Sequence, residues 1–166
     1  MVNEAKVLQT YLSNLLSFVS GRLEVVIGGS MALKETLGDK SFYFRNREVH
    51  DVDLIVVGRN SEIEAAKAFL LRIQETFKGS EDVVSEDYQA IKLRKLSNGA
   101  QAEVLFKVIY DDDYDYTLGF ENPENVAKAK WHYVIQHILK GVAPREKDLR
   151  DLHVLSKLYP KAVPHF

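Results

Sequence analysis

Two short apolar runs, separated by a double glycine and a helical pattern, restrict the possible folds of this chain more than any other segment. The first run, Leu23–Ile27, is rich in β-branched residues and ends at Gly28-Gly29-Ser30, as is typical of a buried strand that enters a tight turn. Met31–Leu37 then has the pattern of a short helix, and Val52–Val57 that of a second buried strand. The order strand, turn, helix, strand predicts an α/β core.

The remaining patterns predict further helices and a hairpin. A capping box at Ser61 and Glu64 begins a helix whose apolar stripe continues to Gly79. The dipeptide Asn98-Gly99 between the apolar runs Tyr88–Leu96 and Ala102–Tyr110 predicts an antiparallel hairpin. Three more helices are predicted from apolar residues at helical spacing. The stripe of an N-terminal helix is Val7, Tyr11, Leu12, Leu15 and Phe18 or Val19. The stripes of two C-terminal helices are Ala127, Trp131, Val134 and Ile138 for the first and Leu149, Leu152, Leu155 and Leu158 for the second. We therefore predict an α/β (α+β) fold, with a mixed sheet of about four strands, flanking helices and a two-helix C-terminal tail.

Length and composition indicate one domain. The chain has 166 residues, of which 46% are hydrophobic and 28% charged, and this is typical of one packed core. We expect residues 1–110 to form that core and residues 111–166 to form a helical extension. No apolar run is long enough to cross a bilayer and there is no cysteine, so we expect a cytoplasmic protein without disulfides or thiolate metal sites. The net charge of −2 does not support binding along phosphate backbones.

An acidic pair precedes and enters the second predicted strand. Because side chains alternate along a strand, Asp51 and Asp53 are expected on the same face, about 6.5–7 Å apart. Two like charges at the end of an apolar strand repel each other, and a divalent cation such as Mg²⁺ would compensate them. Alternatively, Asp51 ends a loop and Asp53 is a solvated residue of an edge strand.

The glycine turn and a later acid add to this pattern. Gly28 and Gly29 permit close approach of a ligand to the backbone, and Ser30 adds a hydroxyl donor where the following helix can receive a phosphate. Glu103 lies in the second run of the hairpin, and beside the acidic pair it would complete a three-carboxylate cluster. Alternatively, Glu103 faces solvent, because it shares one strand face with Lys107.

Together, these motifs are similar to those of the DNA polymerase beta-like nucleotidyltransferase superfamily. Within it, the chain most resembles the small bacterial nucleotidyltransferases related to the AbiE-type toxins, whose tails commonly carry a lysine-bearing helix and then a helix with a basic-Lys-Asp-x-x-Asp-Leu pattern. This chain has Lys128 and Lys130, followed by Arg145–Leu152. The resemblance implies transfer of a nucleoside monophosphate from an NTP to an acceptor, with Mg²⁺ or Mn²⁺ as cofactor and pyrophosphate as the leaving group.

The resemblance also implies a role for each matching residue. The triphosphate is held by the turn residues Gly28, Gly29 and Ser30. The acids Asp51, Asp53 and Glu103 bind metal and form the catalytic site. A tail lysine neutralises phosphate charge, and this is Lys130 by preference, with Lys147 as the second candidate. Alternatively, Lys147 forms a surface ion pair with Asp151 four residues later.

The chain departs from this family in one segment. Twenty residues separate Ser30 from Asp51, more than is usual, and the excess lies in residues 39–48. We expect a loop there, with a short strand at Phe42–Phe44 as an alternative, and the segment either shapes an acceptor pocket or marks a divergent binding module. Arg45 and Arg47 either reach phosphate or are solvated cations.

The sequence leaves the acceptor open among a protein, an RNA end and a small molecule. The leading alternative function is a non-catalytic, nucleotidyltransferase-like module of the regulatory or antitoxin type, which would act through a partner protein. A third reading is a pure interaction domain in which the turn and the acidic pair are coincidental.

Overall fold

A computed structural model describes residues 2–49, 51–76, 91–95, 101–108, 116–117 and 119–164, with positions 73–76, 91–95, 101, 103, 106–108 and 116–117 described by their backbone alone. The elements in chain order are α1 (Val2–Leu16), β1 (Glu24–Gly28), α2 (Gly29–Leu37), α3 (Phe42–Arg45), β2 (Val52–Gly58), α4 (Asn60–Thr76), β3 (Ile91–Lys95), β4 (Gln101–Val108), β5 (Tyr116–Thr117), β6 (Phe120–Glu121), α5 (Pro123–Leu139) and α6 (Glu146–Leu158).

The strands form one mixed sheet in the order β3-β4-β2-β1-β6-β5. The central pair β1 and β2 is antiparallel, whereas β2 and β4 are parallel and are joined by α4. The hairpin strands β3 and β4 are antiparallel neighbours, as predicted. The predicted α/β (α+β) fold is therefore confirmed, with a mixed sheet, flanking helices and two helices in the tail.

The two faces of the sheet have different environments. Alternate residues of β1 and β2, such as Ile27 and Leu54, belong to the main core, which also contains buried side chains from α1, α2, α4, α5 and α6. The opposite face carries a smaller buried cluster formed by Val26, Ile55 and Val57. Because side chains alternate along a strand, the second face is also the face of Gly28 and Asp53.

The predicted apolar stripe of the first helix is confirmed in part. Leu12 is buried, and Leu15 and Val19 are partly buried against the main core, but Val7, Tyr11 and Phe18 are exposed. The buried stripe is instead Ala5, Leu8, Leu12 and Leu16. This stripe also has helical spacing, and small Ala5 lets α1 lie close to its neighbours, so spacing alone could not choose between the two faces.

The segment between α2 and β2 is a loop, as predicted, that contains one helical turn, α3, where a short strand was the alternative. Ser41 caps α3 by accepting a hydrogen bond from the backbone N–H of Phe44 through its hydroxyl group. The aromatic ring of Phe44 is fully buried in the main core. A local cap and one buried ring therefore favour a helical turn rather than a strand.

The tail contributes to the sheet as well as to the helical layer. Its first residues form β5 and β6, and β6 pairs in parallel with β1. Asn122 caps α5 by accepting a hydrogen bond from the backbone N–H of Glu124, and Pro123 occupies the first turn. Trp131, expected in the core, is partly buried against it.

Two sequence predictions lie outside the described residues, namely the turn at 97–99 and the end at Gly79 of the helix that begins near Ser61. Among the helices that are described, none is long and apolar enough to cross a membrane.

Candidate functional site

The turn between β1 and α2 brings an acidic side chain against the backbone. Gly29, the first residue of α2, has a positive φ of 61°, which an L side chain rarely adopts. A Cβ added there would lie 2.3 Å from Oδ2 of Asp53. No side chain caps this helix at Gly28. Glycine is therefore required at position 29 both by the backbone conformation and by the carboxylate of Asp53.

Three acidic residues and one glycine occupy neighbouring positions on four adjacent strands, on the second face of the sheet. Glu103 of β4 is the register partner of Asp53 of β2, which in turn is the register partner of Gly28 of β1. On the other side of β1, the carboxylate of Glu121 approaches Gly28, since a Cβ added to that glycine would lie 2.8 Å from Oε2. We call the positions Glu103, Asp53, Gly28 and Glu121 the acid row.

Glu121 is the member of the acid row that sequence reasoning missed. Its side chain is buried, with only 4% of the residue exposed, and this is uncommon for a glutamate. The signal was available in part, because Asn122-Pro123 marks a helix start and so places Glu121 at the end of the preceding segment. The pairing of β6 with β1, which positions the carboxylate, depends on distant residues.

The predicted metal ligands occupy different environments. Asp51 is exposed and lies directly before β2, whereas Asp53 is half-buried within the strand. Among the described side chains, no group of three or more histidine, aspartate or glutamate residues is arranged to hold a metal ion. The side chain of Glu103 lies outside that description, so its position is known only from the register of β4 against β2.

A second polar cluster joins the segment before β2 to the tail helices. Asp151 of α6 is fully buried and accepts two hydrogen bonds from Arg47, of 2.8 Å from Nε and 3.0 Å from Nη2. It also accepts a hydrogen bond of 2.6 Å from the Tyr43 hydroxyl. Lys130 of α5 lies 3.2 Å from a carboxylate oxygen of Asp151 and 3.2 Å from one of Asp148. We call Tyr43, Arg47, Lys130, Asp148 and Asp151 the charge cluster.

The charge cluster shifts the pKa values of its members in opposite directions. Burial alone would raise the pKa of Asp151, but hydrogen bonds from Arg47 and Tyr43 and the charge of Lys130 outweigh burial and lower it. Burial and the hydrogen bond to Asp151 raise the pKa of Tyr43 to about 12. The hydrogen bond to Asp151 also raises the pKa of Arg47. Arg47 and Asp151 are therefore held in their charged forms and Tyr43 in its neutral form at neutral pH.

Arg47 connects the charge cluster to the glycine turn. Its Nη2 lies 3.5 Å from the hydroxyl oxygen of Ser30, and its backbone carbonyl accepts a hydrogen bond of 3.0 Å from Lys34 of α2. Arg45 instead donates to the carbonyl of Gly38, at 2.8 Å. Of the two arginines that sequence reasoning offered as phosphate ligands, Arg47 is the one beside the turn.

The two tail lysines occupy different places. The interpretation of Lys147 and Asp151 as a surface ion pair is wrong, because Asp151 is buried and bonded to Arg47, Lys130 and Tyr43. Lys147 lies at the wall of an open groove that Arg47 also lines. Lys130 is only 15% exposed at its side chain and holds α5 to α6 through its two aspartates.

The raised pKa of Tyr43 predicts a pH dependence of stability. A group whose folded-state pKa is raised contributes stability that is present below the unfolded pKa of about 10 and is lost as pH rises through the folded value of about 12. The free energy of unfolding of the wild type should therefore fall between pH 10 and 12, and Tyr43→Phe should fall less steeply. Urea unfolding across this range tests it, with Tyr11→Phe, a change at an exposed tyrosine of α1, as the control. Equal slopes for Tyr43→Phe and wild type would contradict the assignment.

Two glycine variants separate the stability lost through a positive φ from the stability lost through the contact between Gly29 and Asp53. Gly141 also has a positive φ, of 73°, but nothing lies within 4 Å of a Cβ added there. Gly141→Ala should cost about 1–2 kcal/mol through the backbone alone, and Gly29→Ala should cost more because the carboxylate of Asp53 must move. In an Asp53→Ala background, the extra loss at Gly29 should disappear. Chemical denaturation measures all four variants, and equal losses for Gly29→Ala and Gly141→Ala would rule out the close contact.

Comparison of the chain with family models, with curated proteins and with solved structures finds no match.

Proposed function

We propose that this protein is a metal-dependent nucleotidyltransferase that transfers a nucleoside monophosphate from an NTP to an acceptor. The observation that carries the proposal is the carboxylate of Asp53 lying against Gly29, at the turn that opens α2, with Glu103 as the register partner of Asp53. A helix N-terminus attracts phosphate, and a carboxylate beside it can hold a cation on that phosphate.

In this proposal the glycine turn receives the triphosphate. The backbone N–H groups that open α2 and the hydroxyl of Ser30 are the hydrogen-bond donors that it offers. Arg47 supplies positive charge, because its guanidinium already lies 3.5 Å from the Ser30 hydroxyl oxygen. Its Nε and Nη2 already donate to Asp151 and its Nη1 to the carbonyl of Glu48, so its position beside the turn, and not a free pair of N–H donors, favours this role. We therefore assign the main phosphate cation to Arg47 rather than to Lys130 or Lys147.

Two residues of the acid row, Asp53 and Glu103, and Asp51, which lies directly before β2, are the proposed metal ligands. Their carboxylate oxygens are the donors that Mg²⁺ and Mn²⁺ prefer. When bound, the metal would polarise the α-phosphate and neutralise its developing charge. An acceptor hydroxyl forms the new bond to the α-phosphorus as the bond to pyrophosphate breaks, and Glu103 takes the hydroxyl proton.

The charge cluster gives the tail a positioning role in this reaction. Lys130 lies between Asp148 and Asp151, whereas Arg47, which also pairs with Asp151, reaches the hydroxyl of Ser30 as well. Asp151 fixes the guanidinium of Arg47 by a two-point hydrogen bond, and a fixed cation loses less entropy when phosphate binds. We therefore propose that α6 acts through Arg47.

The same cluster also favours a second candidate function. Both Arg47 and Lys130 are paired with a fully buried aspartate, an arrangement that holds a fold together without any substrate. A non-catalytic module of the regulatory or antitoxin type would keep this cluster and the fold, and would bind nucleotide or a partner protein without transfer.

A labelling experiment distinguishes the two functions. The protein is incubated with cell lysate, Mg²⁺ or Mn²⁺ and each NTP carrying a label on the α-phosphate or, separately, on the γ-phosphate. A nucleotidyltransferase should place the α label, and not the γ label, on an acceptor. Nucleotide binding without transfer of either label would support the non-catalytic module, and the absence of both binding and transfer would support an interaction domain.

A further inference from the structure

An open groove of about 540 Å³ lies between α3 and α6, outside the acid row. Its volume is within the range of about 300–1,000 Å³ that is typical of small-molecule sites. The α3 segment contributes two aromatic rings and Arg47, and α6 contributes two more cations. The lining residues are Phe42, Tyr43, Asn46, Arg47, Glu48, Lys147 and Arg150.

The charge of the groove favours an anion. Lys147 and Arg150 contribute two positive charges and Glu48 one negative charge, while the charge of Arg47 is balanced by Asp151. Lys147 and Arg150 are three residues apart on α6 and therefore project from one side of the helix. Asp151 holds Arg47 in place at 2.8 Å, so the groove combines one fixed cation with two at the surface.

The aromatic side of the groove favours a flat apolar group. The ring of Phe42 is 77% exposed, although Phe42 belongs to a helix whose neighbouring Phe44 is fully buried. An exposed ring beside arginine side chains offers a surface on which a flat group can stack. The hydroxyl of Tyr43 faces Asp151, so its ring is fixed in orientation as well.

The groove adjoins the glycine turn through Arg47. This residue lines the groove and also reaches the hydroxyl of Ser30 at 3.5 Å. A molecule in the groove would therefore contact the same guanidinium that reaches the turn. Residues 39–48, which lengthen the segment between the turn and the acidic pair, supply the aromatic wall.

We propose that this groove binds a small anionic molecule with a flat apolar part and a hydroxyl group, and that this molecule is the nucleotide acceptor. The second half of the proposal rests on the proposed nucleotidyltransferase function. The acceptor oxygen bonds to the α-phosphorus, the bond to pyrophosphate breaks, and the hydroxyl proton passes to a carboxylate of the acid row.

The binding half is tested with anilinonaphthalene sulfonate, a fluorescent dye that is both aromatic and anionic, without metal or NTP. Phe42→Ala combined with Lys147→Glu should weaken dye binding by about tenfold. Phe18→Ala combined with Lys157→Glu removes one exposed ring and reverses one exposed cation away from the groove, and should bind dye as the wild type does. We call Phe42→Ala combined with Lys147→Glu the groove variant. Equal dye binding by the wild type and the groove variant, or equal weakening in both double variants, would show that the groove is not the binding site.

The acceptor half is tested with lysate passed through a filter that retains macromolecules. The groove variant should lose transfer of the α label to this filtrate and keep the thermal stabilisation by Mg²⁺ and NTP. Loss of that stabilisation would instead make the groove part of the nucleotide site, and labelling only of the retained macromolecules would exclude a small acceptor. If even the wild type shows no stabilisation by NTP, the proposed function fails, whereas the dye experiment still decides whether the groove binds an anion.

Discussion

Asp151→Ala should lower the free energy of unfolding by about 3–5 kcal/mol, because it removes one partner from a buried ionic cluster. The variant leaves Arg47 and Lys130, whose side chains are 11% and 15% exposed, facing each other without the carboxylate between them. Two cations held close together with little water repel each other strongly. The hydrogen bond from the Tyr43 hydroxyl, of 2.6 Å, is lost as well.

Urea unfolding measures this effect, with Arg150→Ala as the matched control. Arg150 neighbours Asp151 in α6, but its side chain is 62% exposed and its nearest acidic partner, Glu146, is 3.8 Å away. A surface change of this kind should alter stability by no more than about 0.5 kcal/mol. A loss of less than about 1 kcal/mol in Asp151→Ala, the size of one ordinary hydrogen bond, would show that the charge cluster does not hold the tail to the rest of the protein.

Asp53→Asn should reduce nucleotide transfer by about 10²–10³-fold while the fold is retained. The amide keeps the shape of the carboxylate against Gly29 but lacks the charge that a metal–phosphate complex requires. Asp53 shares the acid row with Glu103 and Glu121, and removing one of several neighbouring negative charges relieves repulsion. Stability without ligand should therefore be unchanged or slightly raised.

The matched control for this variant is Asp39→Asn, a change at an exposed acid in the segment before α3. It should transfer nucleotide at the wild-type rate. Transfer of the α label and circular dichroism are measured on the same preparations. An unfolded Asp53→Asn protein would assign the residue a structural role, and wild-type transfer by a folded variant would remove it from the catalytic site.

Local sequence signals were sufficient for the framework that positions the site. The β-branched run before Gly28-Gly29 and the run after Asp51 both form strands, and α2 begins at Gly29 and ends at Leu37. Glycine and alternation act within a few residues, so they can be recognised without the rest of the fold. The antiparallel pairing of β3 and β4 was predicted from the dipeptide Asn98-Gly99, which is also a local signal.

The charge cluster could not be predicted, because its members are distant in sequence. Arg47 and Asp151 are 104 residues apart, and nothing near either residue specifies the other. The i,i+4 spacing of Lys147 and Asp151 suggested a local pair instead, and burial of α6 against the protein removed that option. Glu121 was missed on similar grounds, since it reaches the turn only through the pairing of β6 with β1.

The acid row is intermediate between these cases. Alternation predicted only that Asp51 and Asp53 share a face, and the pairing of β1 with β2 then puts Asp53 beside Gly28. The parallel pairing of β2 and β4, which puts positions 53 and 103 in register, depends on how the chain returns to the sheet after α4 and β3. The sequence could therefore predict only that Glu103 would join the site if its strand lay beside the strand of Asp53.

Thermal melting with and without Mg²⁺ and each NTP tests most directly whether the glycine turn and the acid row bind a metal-bound nucleotide. A ligand at one hundred times its Kd stabilises a protein by about 2.7 kcal/mol, and this raises the melting temperature of a domain of this size by several degrees. The wild type should show such a shift with at least one NTP only when the metal is present, and Asp53→Asn should show none. The absence of a shift with every NTP, or an equal shift in folded Asp53→Asn, would contradict the account.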